Sequence, residues 1–492
     1  MSVKKKRKYI FKTKPYKHQK DAMEKAGDRT AFAFFMEMGT GKSKTLLDNL
    51  GTLAVEDKCN FALIIAPKGV YRNWVTKEIP EHLPEDIPYR TIRWVSGANK
   101  KQKEEMQSVK DDFDGLTIFV MNVEAFSTAK GQAAGKWLAQ RFGSKGMIVI
   151  DESTTIKNHQ AKRTKALLKI AHEFKYRRAL TGSPVTRSPM DLYSQAEFLA
   201  PSLLGFESFY AYQNHFAILH RRSMGSHTFQ EIVGFRNLEE LSYRVNQFSF
   251  RVLKKDCLDL PDKSYTMRYV SMTEQQLKMY NEIRHEALTM LDNGELITAQ
   301  NIMTQMLRLQ QVLSGHLTTD NGDLVQVDTK RIQAVLDIID ETEGKVLIWS
   351  RFRNDIQKLR EALNNKFPNQ VACYYGDTPD SERQDIVTEF QDPDSRLRFF
   401  IGNPQTAGYG LTLTEANTVI YYANDFNLET RIQSEDRCHR IGQKNPVTYI
   451  DLITNDTIDE TIVKALRNKI DLGAKVLKEE ARQWLKITPS KS

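Results

Sequence analysis

The eight residues Met36-Glu37-Met38-Gly39-Thr40-Gly41-Lys42-Ser43 narrow the choice of folds more than any other stretch of this 492-residue chain. They follow an apolar run, Ala31-Phe32-Ala33-Phe34-Phe35, and lead into a helix-like stretch from Lys44 to Leu53. A buried strand, a glycine-rich turn and a helix, in that order, form the arrangement that holds a nucleotide's phosphates. Backbone N–H groups of Met38, Gly39, Thr40 and Gly41 are expected to face the anion, and glycine lets the backbone come close. Lys42 is placed to reach the β- and γ-phosphates, and the Ser43 hydroxyl to ligate Mg²⁺. The usual pattern opens on Gly, and Met36 stands in its place.

A second apolar run, Met147-Ile148-Val149-Ile150, ends in Asp151-Glu152-Ser153-Thr154. A carboxylate pair at a strand end suits a magnesium–nucleotide site. Asp151 is expected to hold the metal, mostly through water, while Glu152 orients and deprotonates the attacking water. Upstream, Gln19 in Lys14-Pro15-Tyr16-Lys17-His18-Gln19 offers a donor and an acceptor in one amide, which suits the Hoogsteen edge of adenine. Arg178-Ala179-Leu180-Thr181-Gly182-Ser183-Pro184 puts small hydroxyl residues at another strand end. There Thr181 and Ser183 are candidates for coupling hydrolysis to motion. Behind the run from Phe61 to Pro67 stand Lys68, Tyr71, Arg72, Asn73 and Trp74, a set suited to gripping a nucleic-acid backbone. Trp74 reads equally well as a packed helix anchor.

Alternation of strand and helix up to this point predicts a parallel α/β sheet. From about Pro189 to Arg331 helical patterns dominate, with Leu238 to Leu253 and Thr273 to Leu313 reading as helices. A second α/β pattern follows, with strands at Lys345–Ser350, Val371–Tyr375, Arg398–Ile401 and Thr418–Tyr422 and no phosphate loop of its own. It ends in Gln433-Ser434-Glu435-Asp436-Arg437-Cys438-His439-Arg440-Ile441-Gly442-Gln443. Arg437 and Arg440, three apart, are expected on one helix face, from which two guanidinium groups reach a γ-phosphate held by another domain.

Length allows two or three domains, each with its own core. A formal charge of +9 permits a polyanionic partner, and Lys4-Lys5-Lys6-Arg7-Lys8 reads as a basic arm. Four scattered cysteines without CxxC spacing suggest neither zinc nor disulfides. No apolar run is long enough for a membrane span, and the basic start lacks the apolar segment of a secretory signal. The expected location is cytoplasmic, in a bacterial or virus-infected host cell, or nuclear for a eukaryotic source.

The ordered set resembles the Snf2 family of superfamily 2 helicase-type DNA translocases. The resemblance rests on Met36–Ser43, Ile65-Ala66-Pro67, Asp151-Glu152-Ser153-Thr154 with Ile156-Lys157-Asn158, and Leu180–Pro184. It continues through Val346–Ser350, Ala407-Gly408-Tyr409-Gly410-Leu411-Thr412-Leu413 and Asp436–Gln443, covering about Tyr16 to Glu460. It implies an α/β fold of two RecA-like parallel-sheet lobes (P-loop NTPase) with helical insertions between them, ATP with Mg²⁺, and double-stranded DNA, forked or branched included. It carries Lys42, Ser43, Asp151 and Glu152 to ATP and Mg²⁺, Gln19 to adenine, and Gly410, Gln433, Arg437 and Arg440 to the phosphates from the second lobe. DNA contacts are implied near Lys68, Asn73, Asn122 and Thr406. Thr154 stands where the DEAH form has His, which bears on how the ATP state reaches Thr181 and Ser183.

The expected division is a basic arm (1–14), lobe 1 (15–235), a helical insertion (236–330), lobe 2 (331–465) and a C-terminal brace (466–492), a minimal motor of bacterial or viral size. The expected activity is DNA-dependent ATP hydrolysis driving translocation on duplex DNA, to remodel it or displace bound protein. The alternative is a strand-separating or annealing helicase at forks in replication, recombination or repair. A nuclease echo, Pro261-Asp262 with Glu343-Gly344-Lys345, has too long a gap to count. A non-catalytic scaffold has no chemical need for Lys42, Asp151, Glu152, Arg437 and Arg440 together.

Overall fold

Apolar runs flanked by helical patterns leave each strand nowhere to go but the middle of a parallel sheet, covered on both faces. In the computed structural model this holds for both halves. The structure describes residues 8–466 except 69, 186–187, 225–226, 259, 293–298, 320, 408–410, 426, 461 and 464–465. The expected brace beyond Leu466, residues 1–7 of the basic arm and the Gly410 assignment therefore lie outside the described residues. The chain divides into two compact units that part between Asp259 and Leu260.

The first unit contains β1 (Ala31–Met36), β2 (Phe61–Ala66), β3 (Tyr89–Arg93), β4 (Leu116–Asn122), β5 (Gly146–Asp151) and β6 (Tyr176–Leu180). A hairpin, β7 (Ala217–Met224) with β8 (His227–Phe235), is followed by β9 (Ser249–Val252). The sheet runs β3-β4-β2-β5-β6-β1-β9 with every pairing parallel. Registers such as Phe34↔Leu180 and Ile150↔Ala179 align the carboxyl ends of β1, β6 and β5. The loops leaving those three adjacent strands are the glycine-rich turn, the Thr181 loop and the acidic turn. Side-by-side strand ends are where ligands of such sheets bind. Met36 is the last residue of β1, fully buried and paired with Val252, so the turn itself opens at Glu37.

Two helices frame the turn: α1 (Lys17–Ala26) before β1 and α2 (Lys42–Val55) after it. Residues 9–13 dock onto this part of the unit. Tyr9 Oη donates to Asp48 Oδ1 at 2.7 Å, while Lys44 Nζ bridges Asp48 Oδ2 and the Thr13 carbonyl, both at 2.8 Å. Gly51 of α2 leaves room for this, since a Cβ there would stand 2.5 Å from the Tyr9 ring.

The second unit holds β10 (Lys263–Tyr269), a short hairpin of β11 (His316–Thr318) and β12 (Leu324–Gln326), then β13 (Lys345–Trp349), β14 (Val371–Tyr374), β15 (Phe399–Gly402), β16 (Ala416–Tyr421) and β17 (Val447–Ile453). Its main sheet, β10-β17-β16-β13-β15-β14, is again parallel throughout. The Lys345 ammonium is turned inward onto the Phe390 and Asp392 carbonyls.

Two expectations for the middle of the chain need correction. The helix expected over Leu238 to Leu253 ends at Phe248, because Ser249–Val252 pairs along the outer side of β1. In place of the long helix expected over Thr273 to Leu313, the described residues form two, Glu274–Asp292 and Ala299–Ser314. Helices dominate between Pro189 and Arg331 as expected, although both hairpins, β9 and β10 lie there as well.

Candidate active site

The turn after β1 is shaped by backbone that only glycine adopts cheaply. Gly39 has φ 80° and Gly41 φ 88°, and Gly41 is the residue that caps α2. A Cβ at Gly41 would stand 2.2 Å from Gln19 Nε2, so an added side chain would displace the Gln19 amide as well as strain the backbone. Thr40 Oγ1 donates to the Glu37 carbonyl at 2.7 Å and closes the turn. Lys42 and Ser43 form the first turn of α2, where helix N–H groups and the dipole favour an anion. These residues fit a nucleotide's phosphates.

Gln19 lies under this turn. Its Nε2 donates to the Thr40 carbonyl at 3.0 Å, and its Oε1 accepts from the Tyr16 N–H, also at 3.0 Å. The amide thus holds the phosphate loop to the start of α1. His18, which sequence reasoning did not single out, makes a second contact to the same Thr40 oxygen through Nε2 at 2.8 Å. A carbonyl only accepts, so Nε2 carries the proton. The signal was its place beside Gln19.

Asp151 ends β5 and is buried. Its Oδ2 accepts from Trp74 Nε1 at 2.9 Å and its Oδ1 from the Glu152 N–H at 3.0 Å. Burial pushes the carboxyl above its ordinary value, while the Trp74 bond and the Lys42 charge pull it down. Trp74 proves to be the packed anchor, fully buried at the start of a π-helical turn, Trp74–Glu78. The same packing aims its indole N–H at the carboxylate. One buried carboxylate near a cationic Lys, with a Ser hydroxyl at the head of α2, fits Mg²⁺, which takes few protein ligands and keeps its waters.

Glu152 adopts φ 48°, left-handed backbone that a buried non-glycine residue holds only under constraint. Thr181 Oγ1 donates to Glu152 Oε2 at 3.3 Å and accepts from the Ser183 N–H at 3.2 Å. Thr181 and Ser183 are thus brought to the carboxylate expected to handle water. The neighbouring loops touch: a Cβ at Gly182 would stand 3.0 Å from the Met38 nitrogen. Arg251 of β9, also missed in the sequence, donates to the Phe35 and Gly182 carbonyls at 3.1 and 2.8 Å and ties β1 to that loop.

Of the nucleic-acid candidates, Lys68 and Asn122 meet at one carboxylate. The Lys68 N–H and Asn122 Nδ2 donate to Glu124 at 3.4 and 3.0 Å, because β2 and β4 are neighbours with aligned ends. Asn73 instead bonds Glu78 Oε1 at 3.1 Å. Thr406, in the second unit, belongs to the four-residue helix Pro404–Ala407.

In the second unit the helix Leu428–Glu435 stops before either arginine, so Arg437 and Arg440 do not share a helix face as expected. The Asp436 to Gln443 segment turns back instead, and both guanidinium groups donate to the Leu411 carbonyl, at 3.1 and 3.2 Å. Arg437 Nε also donates to the Gln433 carbonyl at 2.8 Å. The arginines are still brought together, by a shared acceptor. The helix before them is clamped by Arg431, whose guanidinium grips Asp451 of β17 through two hydrogen bonds and stacks 3.5 Å over the Tyr421 ring.

Residues 25–316 match the SNF2-related domain, and residues 330–442 the helicase conserved C-terminal domain. An uncharacterized ATP-dependent helicase of Mycoplasma genitalium is 26% identical over 449 residues, 90% of this chain and 40% of that protein. An ISWI chromatin-remodeling complex ATPase of Arabidopsis thaliana is 26% identical over 462 residues, with coverage of 90% and 40%. The transcription regulatory protein SNF2 of Saccharomyces cerevisiae is 26% identical over 466 residues, 90% of this chain and 26% of that one. The chain thus spans two fifths or less of the length of these curated relatives. Among solved structures, the Sulfolobus solfataricus SWI2/SNF2 ATPase core in complex with dsDNA is 24% identical, covers 99% of this chain and 97% of that chain, and has a TM-score of 0.42.

Proposed function

The chain belongs to the SNF2-related family, and from that premise we propose that it is a DNA-dependent ATPase that moves on duplex DNA. The observation that carries this reading is the meeting of three loops on adjacent strand ends. The glycine turn is fit for phosphates, Asp151 is oriented by Trp74, and Glu152 is hydrogen-bonded to Thr181. Lys42 takes the β- and γ-phosphates, Ser43 and Asp151 would hold Mg²⁺, and Glu152 orients and deprotonates the water. When bound, the metal would neutralise charge on the phosphates. Arg437 and Arg440 of the second unit serve the departing phosphate, and Gln433 supports Arg437.

Duplex DNA is the proposed partner, gripped through its backbone by loop residues such as Lys68 and Asn122, with Asn73 and Thr406 as further contacts. The names of the relatives, the ATP-dependent helicase and the chromatin-remodeling ATPase, support that reading. It places the protein where duplex DNA is, in the cytoplasm or in a nucleus. Rates of ATP hydrolysis on single-stranded, duplex and forked DNA and on RNA test it. Duplex DNA is expected to stimulate most, with affinity falling as salt rises. Stimulation by RNA alone, or by none of these, would sink the proposal. Unwinding of a labelled fork would favour strand separation over translocation.

A further inference from the structure

Among the described residues, hydrogen bonds of two kinds join the acidic turn after β5 to the loop after β6. One is Thr181 with Glu152. The other runs through Gln195, a residue outside every stretch that the sequence singled out. Gln195 is buried in the helix Leu192–Leu199. Its Oε1 accepts from Ser153 Oγ at 2.6 Å, and its Nε2 donates to the Pro184 and Asp191 carbonyls, both at 2.8 Å. Two carbonyls can only accept, so the amino group must face them and the amide oxygen must face Ser153. The orientation of the amide is therefore fixed by its partners. Next to it, Ser194 Oγ donates to the Lys157 carbonyl at 3.4 Å, tying the same helix to the residue that follows the short 3₁₀ turn Ser153–Ile156.

Ser153 is the immediate neighbour of Glu152, whose left-handed backbone stores strain, and Pro184 follows Ser183. A planar amide with buried partners on both sides transmits movement well, since parting from either side leaves a buried polar group unpaired. The hydroxyl that reaches across belongs to Ser153, one residue before the Thr154 that stands in place of the family's His. We propose that Gln195 is a positioning residue that, through Ser153 and Pro184, couples the nucleotide's state at Glu152 to the loop at 182–185. It thereby sets how strongly DNA stimulates hydrolysis. This rests on the ATPase reading above.

The test measures ATP hydrolysis with and without duplex DNA, KM for ATP and the thermal midpoint for the full chain and three variants: Ser153→Ala, Gln195→Leu and the double substitution. The single variants are expected to keep DNA-free kcat and KM while DNA stimulation falls about tenfold, the scale of a typical coupling energy. The double variant puts an apolar pair in place of a buried polar one. It is expected to recover the thermal midpoint without recovering stimulation. Stimulation that follows the thermal midpoint, and returns in the double variant, would mean a merely structural role and overturn the proposal. So would full stimulation in Ser153→Ala, which decides the matter if Gln195→Leu does not fold. A wild-type chain indifferent to DNA is a separate outcome that removes the function itself.

Discussion

Glu152 concentrates the argument at the scale of single residues. Among the described residues, six non-glycine residues have positive φ, and the other five sit in exposed positions while Glu152 is buried. Backbone strain of about 1–3 kcal/mol held inside the fold, on a carboxylate, marks a site rather than a turn. Glu152→Gln is expected to leave nucleotide binding intact and to lower turnover by roughly 10²- to 10⁴-fold, read in a steady-state ATPase assay. Trp74 makes a separate claim, that it acts through Asp151. Trp74→Phe keeps the packing and removes the 2.9 Å hydrogen bond, so the Mg²⁺ concentration for half-maximal rate is expected to rise about 10- to 100-fold. An unchanged Mg²⁺ dependence would show that the indole only fills space. Gly41→Ala forces a Cβ against Gln19 in left-handed backbone, and loss of nucleotide binding with a lower thermal midpoint is the expected result.

Among the elements, the strands that carry the site were legible because each is an uninterrupted apolar run ending in a chemically distinctive turn. β1, β2 and β5 read directly as FAFF, ALII and MIVI before their loops. Several of the elements missed have their pairing decided by neighbours. Tyr89–Arg93 and Lys263–Tyr269 are polar edge strands, and Ser249–Val252 is recruited from the end of a helical pattern by the open side of β1. At the site itself the candidate residues for phosphate, metal and water were picked out by spacing, but the side chains that tie their loops together, His18, Arg251 and Gln195, were not. His18 and Arg251 bond backbone carbonyls distant in sequence, and Gln195 reaches back to the Ser153 hydroxyl, contacts that leave no pattern. The N-terminal strap was read only as a basic arm, yet Tyr9 closes on α2 through Asp48. Tyr9→Phe leaves that buried carboxylate short of a donor, and a loss of about 1–3 kcal/mol in chemical denaturation is expected. No change would show the strap to be loosely held.

At the scale of the whole chain, the histidines of the first unit set a limit in acid. Burial lowers the pKa of both His82 and His172 below the ordinary value of 6.5. Around His82, Glu78, Glu81 and Asp48 oppose that shift and Lys44 reinforces it, while Arg177 reinforces it at His172. A base depressed in the folded state takes up its proton more readily when unfolded, so stability is kept above about pH 6.5 and lost as pH falls below it. The thermal midpoint is expected to drop between pH 7.5 and pH 5.5, and to drop less in His172→Gln. In the proposed motor, one hydrolysis site on the first unit drives movement on duplex DNA. The most direct test is steady-state ATP hydrolysis by the full chain, with and without duplex DNA, beside Lys42→Ala. The expected result is strong stimulation by duplex DNA that vanishes in the variant. Hydrolysis that ignores DNA, or that survives Lys42→Ala, would contradict it.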